Sequence, residues 1–364
     1  MNNETISPHQ VGVISGLLLF TLKMTSLPSL IYKYNGIGAI LSFITVIALN
    51  VLFLMLVVWF KQKYPSITLY DLLKNKLGVV VAKILYFLFF SLFFFKLLLM
   101  ISDGFTFIKD VADDEFTIFN IFVCFLPIIS ALAYSGIRNI GRTCEFFVPF
   151  IVICLILAIS FSNVPPREIA LGSLVSRGFE GFFNSIFRLS FWTGDLFAIV
   201  IFLDKLEIKK GKLSQLFVPF GLLTTLLIII YMLYFTLYQE TSVIHVNLIN
   251  DVVQYAIGTS KGWHMDFFAI IVFMINMFLQ GSILLYCANE CVKKIFNYNY
   301  SVISLSAINL LLVGTEFLYL TDYLSYIEFA ENRLCYFSAI TIIIVPLIIL
   351  ILTLSKRKNK DETN

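Results

Sequence analysis

Two short polar runs interrupt otherwise apolar stretches and carry residue types that can hold a small polar molecule. The first, FTLKMTSLPSL, places Lys23, Thr25, Ser26, Leu27 and Pro28 together. Proline has no amide N–H to donate and biases the residue before it away from helix. The second, RLSFWTGDLF, gathers Arg188, Ser190, Trp192, Thr193, Gly194 and Asp195. Membrane helices broken at such points free amides and carbonyls that can bind a carboxylate, an amine or a cation. A proline kink and a glycine packing contact, healed by neighbouring helices, would account for either run alone. Their pairing favours the binding reading, because each run opens one half of the chain.

Other polar residues fall inside apolar runs, where they are expensive and normally face a cavity or a partner. They are Lys96, Ser102 and Asp103, then Glu145, then Asn276 and Gln280. Asn276 and Gln280 share a helical face at i, i+4. Lys96 and Asp103 also share a face, but a helical rise of about 10 Å is too long for a direct pair. Each is expected to find a partner on another helix, with interhelical hydrogen bonding as the plainer role. Lys23, Lys96, Asp103 and Glu145 are the candidates for ion or proton coupling, and Asp195 joins them if the chain is a transporter. Glu145 has an alternative as a structural anchor paired with Arg142 one turn away. GIRNIGRT, from Gly136 to Thr143, is one substitution from a phosphate-binding loop, but Arg142 stands where lysine is needed and no strand precedes it. Motifs of the HExxH and GxSxG kind are missing and the three histidines are scattered, so no catalytic set, metal site or cofactor is expected.

The elements that must position these residues are membrane helices. The 364 residues are 59% hydrophobic and 13% charged, with mean hydropathy +0.91. Such a composition excludes a soluble enzyme. A net charge of +3, spread over short connections, gives nucleic acid no basic patch. Six cysteines without a CxxC pair imply neither a disulfide framework nor a metal site. At about 20 residues per crossing, spans are expected near 11 to 31, 37 to 60, 84 to 108, 115 to 134, 143 to 162, 182 to 203, 216 to 238, 266 to 290, 301 to 320 and 335 to 354. Seventeen Lys and Arg lie in the connections after even-numbered spans and six in the opposite set. Both termini should therefore be cytoplasmic, and no removable signal peptide is expected.

Ten spans with both ends on one side divide into two five-span blocks of opposite sense, about 11–162 and 182–354, as an inverted repeat requires. The fold expected is an all-α polytopic membrane protein, a single transmembrane domain of the LeuT type broken in helices 1 and 6, with a basic cytoplasmic tail at 355–364. Residues 66–83 suit an amphipathic interfacial helix. The run VNLINDVVQYAIG, within residues 239–266, suits an external helix that either lids the bundle or simply packs on it.

Four segments in order carry a resemblance to a known family: ISPHQ leading into span 1 and its Leu-Pro, KYPSITLYDLL after span 2, YSGIRNIGRTCEFFVPF across spans 4 and 5, and FWTGDLFAIVIFLDKL in span 6. The chain resembles the endospore germination permease family, the integral B subunits of spore germinant receptors within the amino acid–polyamine–organocation superfamily. Gly136, Arg142, Glu145 and Pro149 match the family's spaced Gly, Arg, Glu and Pro. Lys23, Met24 and Thr25 stand where the family has glycines, and ADDEFTIF replaces its Thr-Pro pair before span 4. The resemblance implies a nutrient sensor of the spore inner membrane, not an enzyme, working beside A-type and C-type subunits. It implies a mid-membrane pocket in which amides around Thr25 to Leu27 take the carboxylate of an amino acid and Trp192 to Asp195 take its amine and side chain. An amino acid transporter coupled to protons or sodium is the alternative.

Overall fold

The computed structural model describes residues 5–20, 27–65, 67–111, 117–161, 177–207, 213–244, 266–298, 300–319 and 328–358. Nearly all of them are helical: α1 (Pro8–Phe20), α2 (Leu27–Asn35), α3 (Ala39–Lys63), α4 (Leu69–Leu77), α5 (Val79–Val111), α6 (Ile118–Ser135), α7 (Ile137–Phe161), α8 (Gly178–Thr193), α9 (Ala198–Ile201), α10 (Ser214–Tyr238), α11 (Asp266–Phe296), α12 (Ser301–Tyr319) and α13 (Cys335–Lys358). By length and composition, six helical stretches can cross a membrane: Leu27–Lys63, Val79–Lys109, Ile137–Leu157, Ser214–Val243, Ile270–Phe296 and Ala330–Ile351. Three shorter apolar helices, Pro8–Phe20, Phe122–Ser135 and Ser301–Phe317, accompany them. Leu52, Phe146, Phe183, Leu310 and Ile351 are exposed, as side chains that meet lipid must be. The chain is a multi-pass membrane protein.

Helices in lipid gain little from burying apolar surface, so small residues that allow close approach decide the packing. Gly12 and Gly16 put one face of α1 against α10, and a Cβ on Gly12 would stand 2.2 Å from the Leu216 carbonyl oxygen. Gly104 of α5 receives Met277 of α11, and Gly281 of α11 receives Met100 of α5. Those reciprocal contacts run α5 along α11, while α8 lies against α2, α3 and α13.

The expected amphipathic helix is α4, and it is shorter than 66–83. Thr68 caps it by accepting from the Asp71 amide at 3.0 Å. Gly78, at φ 91°, ends it, so 79–83 belong to α5. That left-handed backbone favours glycine. Gly136, also at φ 91°, makes the turn between α6 and α7, and the phosphate-loop look-alike is this turn plus the start of α7. The external run VNLINDVVQYAIG lies outside the described residues.

Candidate functional site

The second polar run ends α8. Gly194–Phe197 tightens to 3-10 geometry before α9 resumes. The Gly194 amide still donates to the Ser190 carbonyl, and the Ala198 amide to those of Asp195 and Leu196. The sequence suggested an unwound stretch; the interruption is instead a change of helix type. Gly194 is buried and Asp195, Leu196 and Phe197 are at most 3% exposed, and buried amides away from water must keep partners, which i→i+3 bonding supplies.

At this joint Lys96 of α5 enters from the side. Its Nζ lies 2.6 Å from Asp195 Oδ1, and both side chains are wholly buried. Lys96 Nζ also donates to the Phe191 carbonyl near the C-terminus of α8 and lies 4.7 Å from the Phe191 ring centroid. A cation suits that place, because the last carbonyls of a helix lack amide partners and carry partial negative charge. Gln280 of α11 completes the cluster by donating from Nε2 to Asp195 Oδ2 at 2.8 Å. Only its amide nitrogen can face a carboxylate, so chemistry fixes the orientation of this amide. Three helices are thus joined through one carboxylate. A ligand amine at Asp195 would share a carboxylate whose two oxygens already engage Lys96 and Gln280.

One turn from Gln280 on the same face, Asn276 is 1% exposed, and neither its Nδ2 nor its Oδ1 has a hydrogen-bond partner among the described residues. Gln280 Oε1 is unpartnered as well. Each such buried group costs about 1–3 kcal/mol. Phe107 and Phe273 pack with ring centroids 4.2 Å apart, and Phe273 falls on the stripe of α11 that carries Gln280. Asp103 is buried and engaged, as Lys96 and Asp195 are.

The other sequence candidates divide. Leu27 and Pro28 are buried in the first turn of α2, where proline's missing N–H costs nothing. Lys23, Thr25 and Ser26 lie outside the described residues. Glu145 is far from this centre in role: its Oε1 lies 2.6 Å from His9 Nδ1 and its Oε2 accepts from Gln10 Nε2 at 3.0 Å. The anchor it makes is to the start of α1, not to Arg142. Arg142 and Pro149 are exposed on α7.

Sequence reasoning named Arg188 without its partners and passed over Tyr34, Glu331 and Glu316. Arg188 Nη1 donates to the Glu331 carbonyl at 3.1 Å, its guanidinium stacks 4.1 Å from the Tyr34 ring centroid, and Tyr34 Oη donates to Glu331 at 2.9 Å. Glu316 of α12 is 2% exposed with neither carboxylate oxygen hydrogen-bonded among the described residues. Its lone charge in an apolar helix was the available signal.

The described residues also line a polar cavity and an apolar groove. The polar cavity, of about 620 Å³, lies at the Ile6 end of the bundle, lined by Lys61, Asp204, Lys205, Glu207, Tyr286 and Glu290 among others. There Lys205 Nζ donates to Tyr286 Oη at 2.6 Å. The Ile6 amide donates to the Lys205 carbonyl at 2.9 Å, and the Glu207 amide to the Ile6 carbonyl at 3.2 Å. The apolar groove, of about 650 Å³, runs between α3, α8 and α13 and reaches Thr193 and Phe197 beside the joint.

No family model matches the sequence, and no curated protein matches it. Among solved structures, the chain is similar to a nucleobase-cation-symport-1 family transporter in a closed conformation with bromovinylhydantoin bound. The TM-score is 0.58 at 11% identity, over 93% of this chain and 77% of that one. At that identity the likeness is one of fold, and the polar centre of this chain sits within a helical fold shared with that protein.

Proposed function

We propose that this chain is the integral-membrane B subunit of a spore germinant receptor. It binds a small nutrient, an amino acid being the leading candidate, at the joint of α8 and α9 and triggers germination with A-type and C-type subunits. The observation that carries the reading is the Lys96–Asp195–Gln280 cluster at a change of helix type, inside a fold shared with a small-molecule transporter. The four sequence segments resembling germination permeases supply the receptor role and the spore inner membrane.

In this reading the ten spans form the 5+5 inverted repeat, both termini and the Ile6 end of the bundle face the cytoplasm, and 355–364 is a basic tail. Thr25 to Pro28 and Trp192 to Asp195 are the two broken-helix walls, with Asn276 and Gln280 beside them. The protein performs no covalent chemistry. A ligand that contacts the two sides of the α8–α9 joint better in one arrangement than in another shifts the balance between them, and partner subunits read the shift. Dipicolinate release from spores lacking this gene tests the role. The expected result is loss of response to one nutrient class, with a non-nutrient trigger still effective; normal responses to every nutrient would refute it.

A second reading, an amino acid transporter coupled to protons or sodium, has its own observation in the wholly buried Lys96–Asp195 pair, since intramembrane ionisable pairs serve as relays. Uptake into vesicles holding the purified protein, abolished by Asp195→Asn, would favour it.

A further inference from the structure

From the hydrogen-bonding groups left open at the centre, we infer that the ligand carries an uncharged amide, either a primary carboxamide or the N–H and C=O edge of a lactam, and that Asn276 recognises it. The inference rests on the reading of this centre as a ligand site and names what that site selects. The charged groups are spent on one another: Lys96 on Asp195 and the Phe191 carbonyl, Asp195 on Lys96 and Gln280, and Asp103 is engaged too. What stays open is neutral. Asn276 offers two N–H donors and a carbonyl acceptor, with Gln280 Oε1 as a further acceptor one turn away.

An amide group on the ligand is the self-complement of the Asn276 side chain, donating to its oxygen while accepting from its nitrogen. That match holds whichever way the Asn276 amide is turned. A carboxylate in the same place would accept from Nδ2 but leave Oδ1 facing another acceptor. An ammonium would satisfy Oδ1 and leave Nδ2 facing a donor. An aliphatic side chain would satisfy neither. Sites built to hydrogen-bond a ligand group reject analogues lacking it, because their own buried groups are then unpaired. Phe273 on the same stripe of α11, paired with Phe107 of α5, is an apolar neighbour suited to a flat, uncharged group rather than an ion.

The test is thermal unfolding of the purified full chain in lipid nanodiscs, with six probes titrated separately: L-asparagine, L-glutamine and uracil, against L-aspartate, L-glutamate and L-leucine. Ligands that bind the folded state raise the midpoint with concentration, which gives an apparent affinity. At least one of the three amide probes is expected to bind at least about tenfold more tightly than the best of the other three. Asn276→Leu should then weaken that amide probe by about tenfold or more and leave the others unchanged. The wild-type ranking stands without any variant, and Asn276→Asp, isosteric and polar, is the second substitution. Binding of L-leucine, L-aspartate or L-glutamate as tight as that of the amides overturns the inference, as does amide binding that ignores Asn276→Leu. If Gly194→Trp abolishes such binding, the centre is still the ligand site and only the amide preference fails. Binding by none of the six overturns the inference as well, while spore dipicolinate release decides the receptor reading separately.

Discussion

Two lysines near the second broken helix illustrate opposite uses of charge. Lys96 is wholly buried and faces one carboxylate, one carbonyl and one aromatic ring. Lys205, at the Ile6 end, is half-buried in a polar cavity, hydrogen-bonded to Tyr286 with Asp204, Glu207, Glu290 and Lys293 around it. The first arrangement is closed to water, and an ion stripped of its partner there stays desolvated. The second has water and several charges that can re-pair. Breaking a buried pair by removing one member costs several kcal/mol, whereas replacing both members with neutral groups of similar shape is far milder.

The comparison predicts a graded series. Lys96→Met should lower the stability of the purified protein by about 3–5 kcal/mol, seen as a large fall in Tm. The double variant Lys96→Met with Asp195→Asn should recover most of that loss; a double variant as unstable as the two single changes added together would contradict the pairing. Lys205→Met should cost about 1 kcal/mol, the worth of its hydrogen bond to Tyr286. Glu145→Gln should cost about 0.2–1 kcal/mol, since His9 is 53% exposed and Gln10 can still donate to the new side chain. Raising salt should shrink the Glu145 effect and leave the Lys96 effect in place.

Asp204 gives the smallest change and a sign. Burial raises its carboxyl above the ordinary value of 3.8, against the pull of Lys205. A raised folded-state value means that the contribution favouring the fold is complete below pH 3.8 and is lost as pH rises through the raised value. Asp204→Asn should therefore raise Tm slightly at neutral pH and flatten its decline above pH 3.8; a fall in Tm would show the charge to be useful there.

The same contrast explains what the sequence made legible. Polar residues in hydrocarbon must be partnered, so Lys96, Asp195, Asn276 and Gln280 stood out one by one, and the α8–α9 joint was marked by Gly194 and Asp195. Their partners were not readable, because pairing across α5, α8 and α11 depends on which helices touch. That is set by Gly104 against Met277 and Gly281 against Met100, contacts with no local signature. Glu145 shows the opposite error: Arg142 was near in sequence, and His9 and Gln10 were near in space. The apolar helices α10 and α12 were legible to within a few residues, whereas Gly78 ended α4 short of the expected 66–83.

The measurement that tests the central claim most directly is nutrient-triggered dipicolinate release from spores whose only copy of this gene carries Gly194→Trp, compared with wild-type and deletion spores. A ligand site at the α8–α9 joint predicts loss of the nutrient response to the level of the deletion, with normal amounts of the protein in the membrane and an intact response to a non-nutrient trigger. A normal nutrient response from that variant would remove this joint from the site and contradict the account.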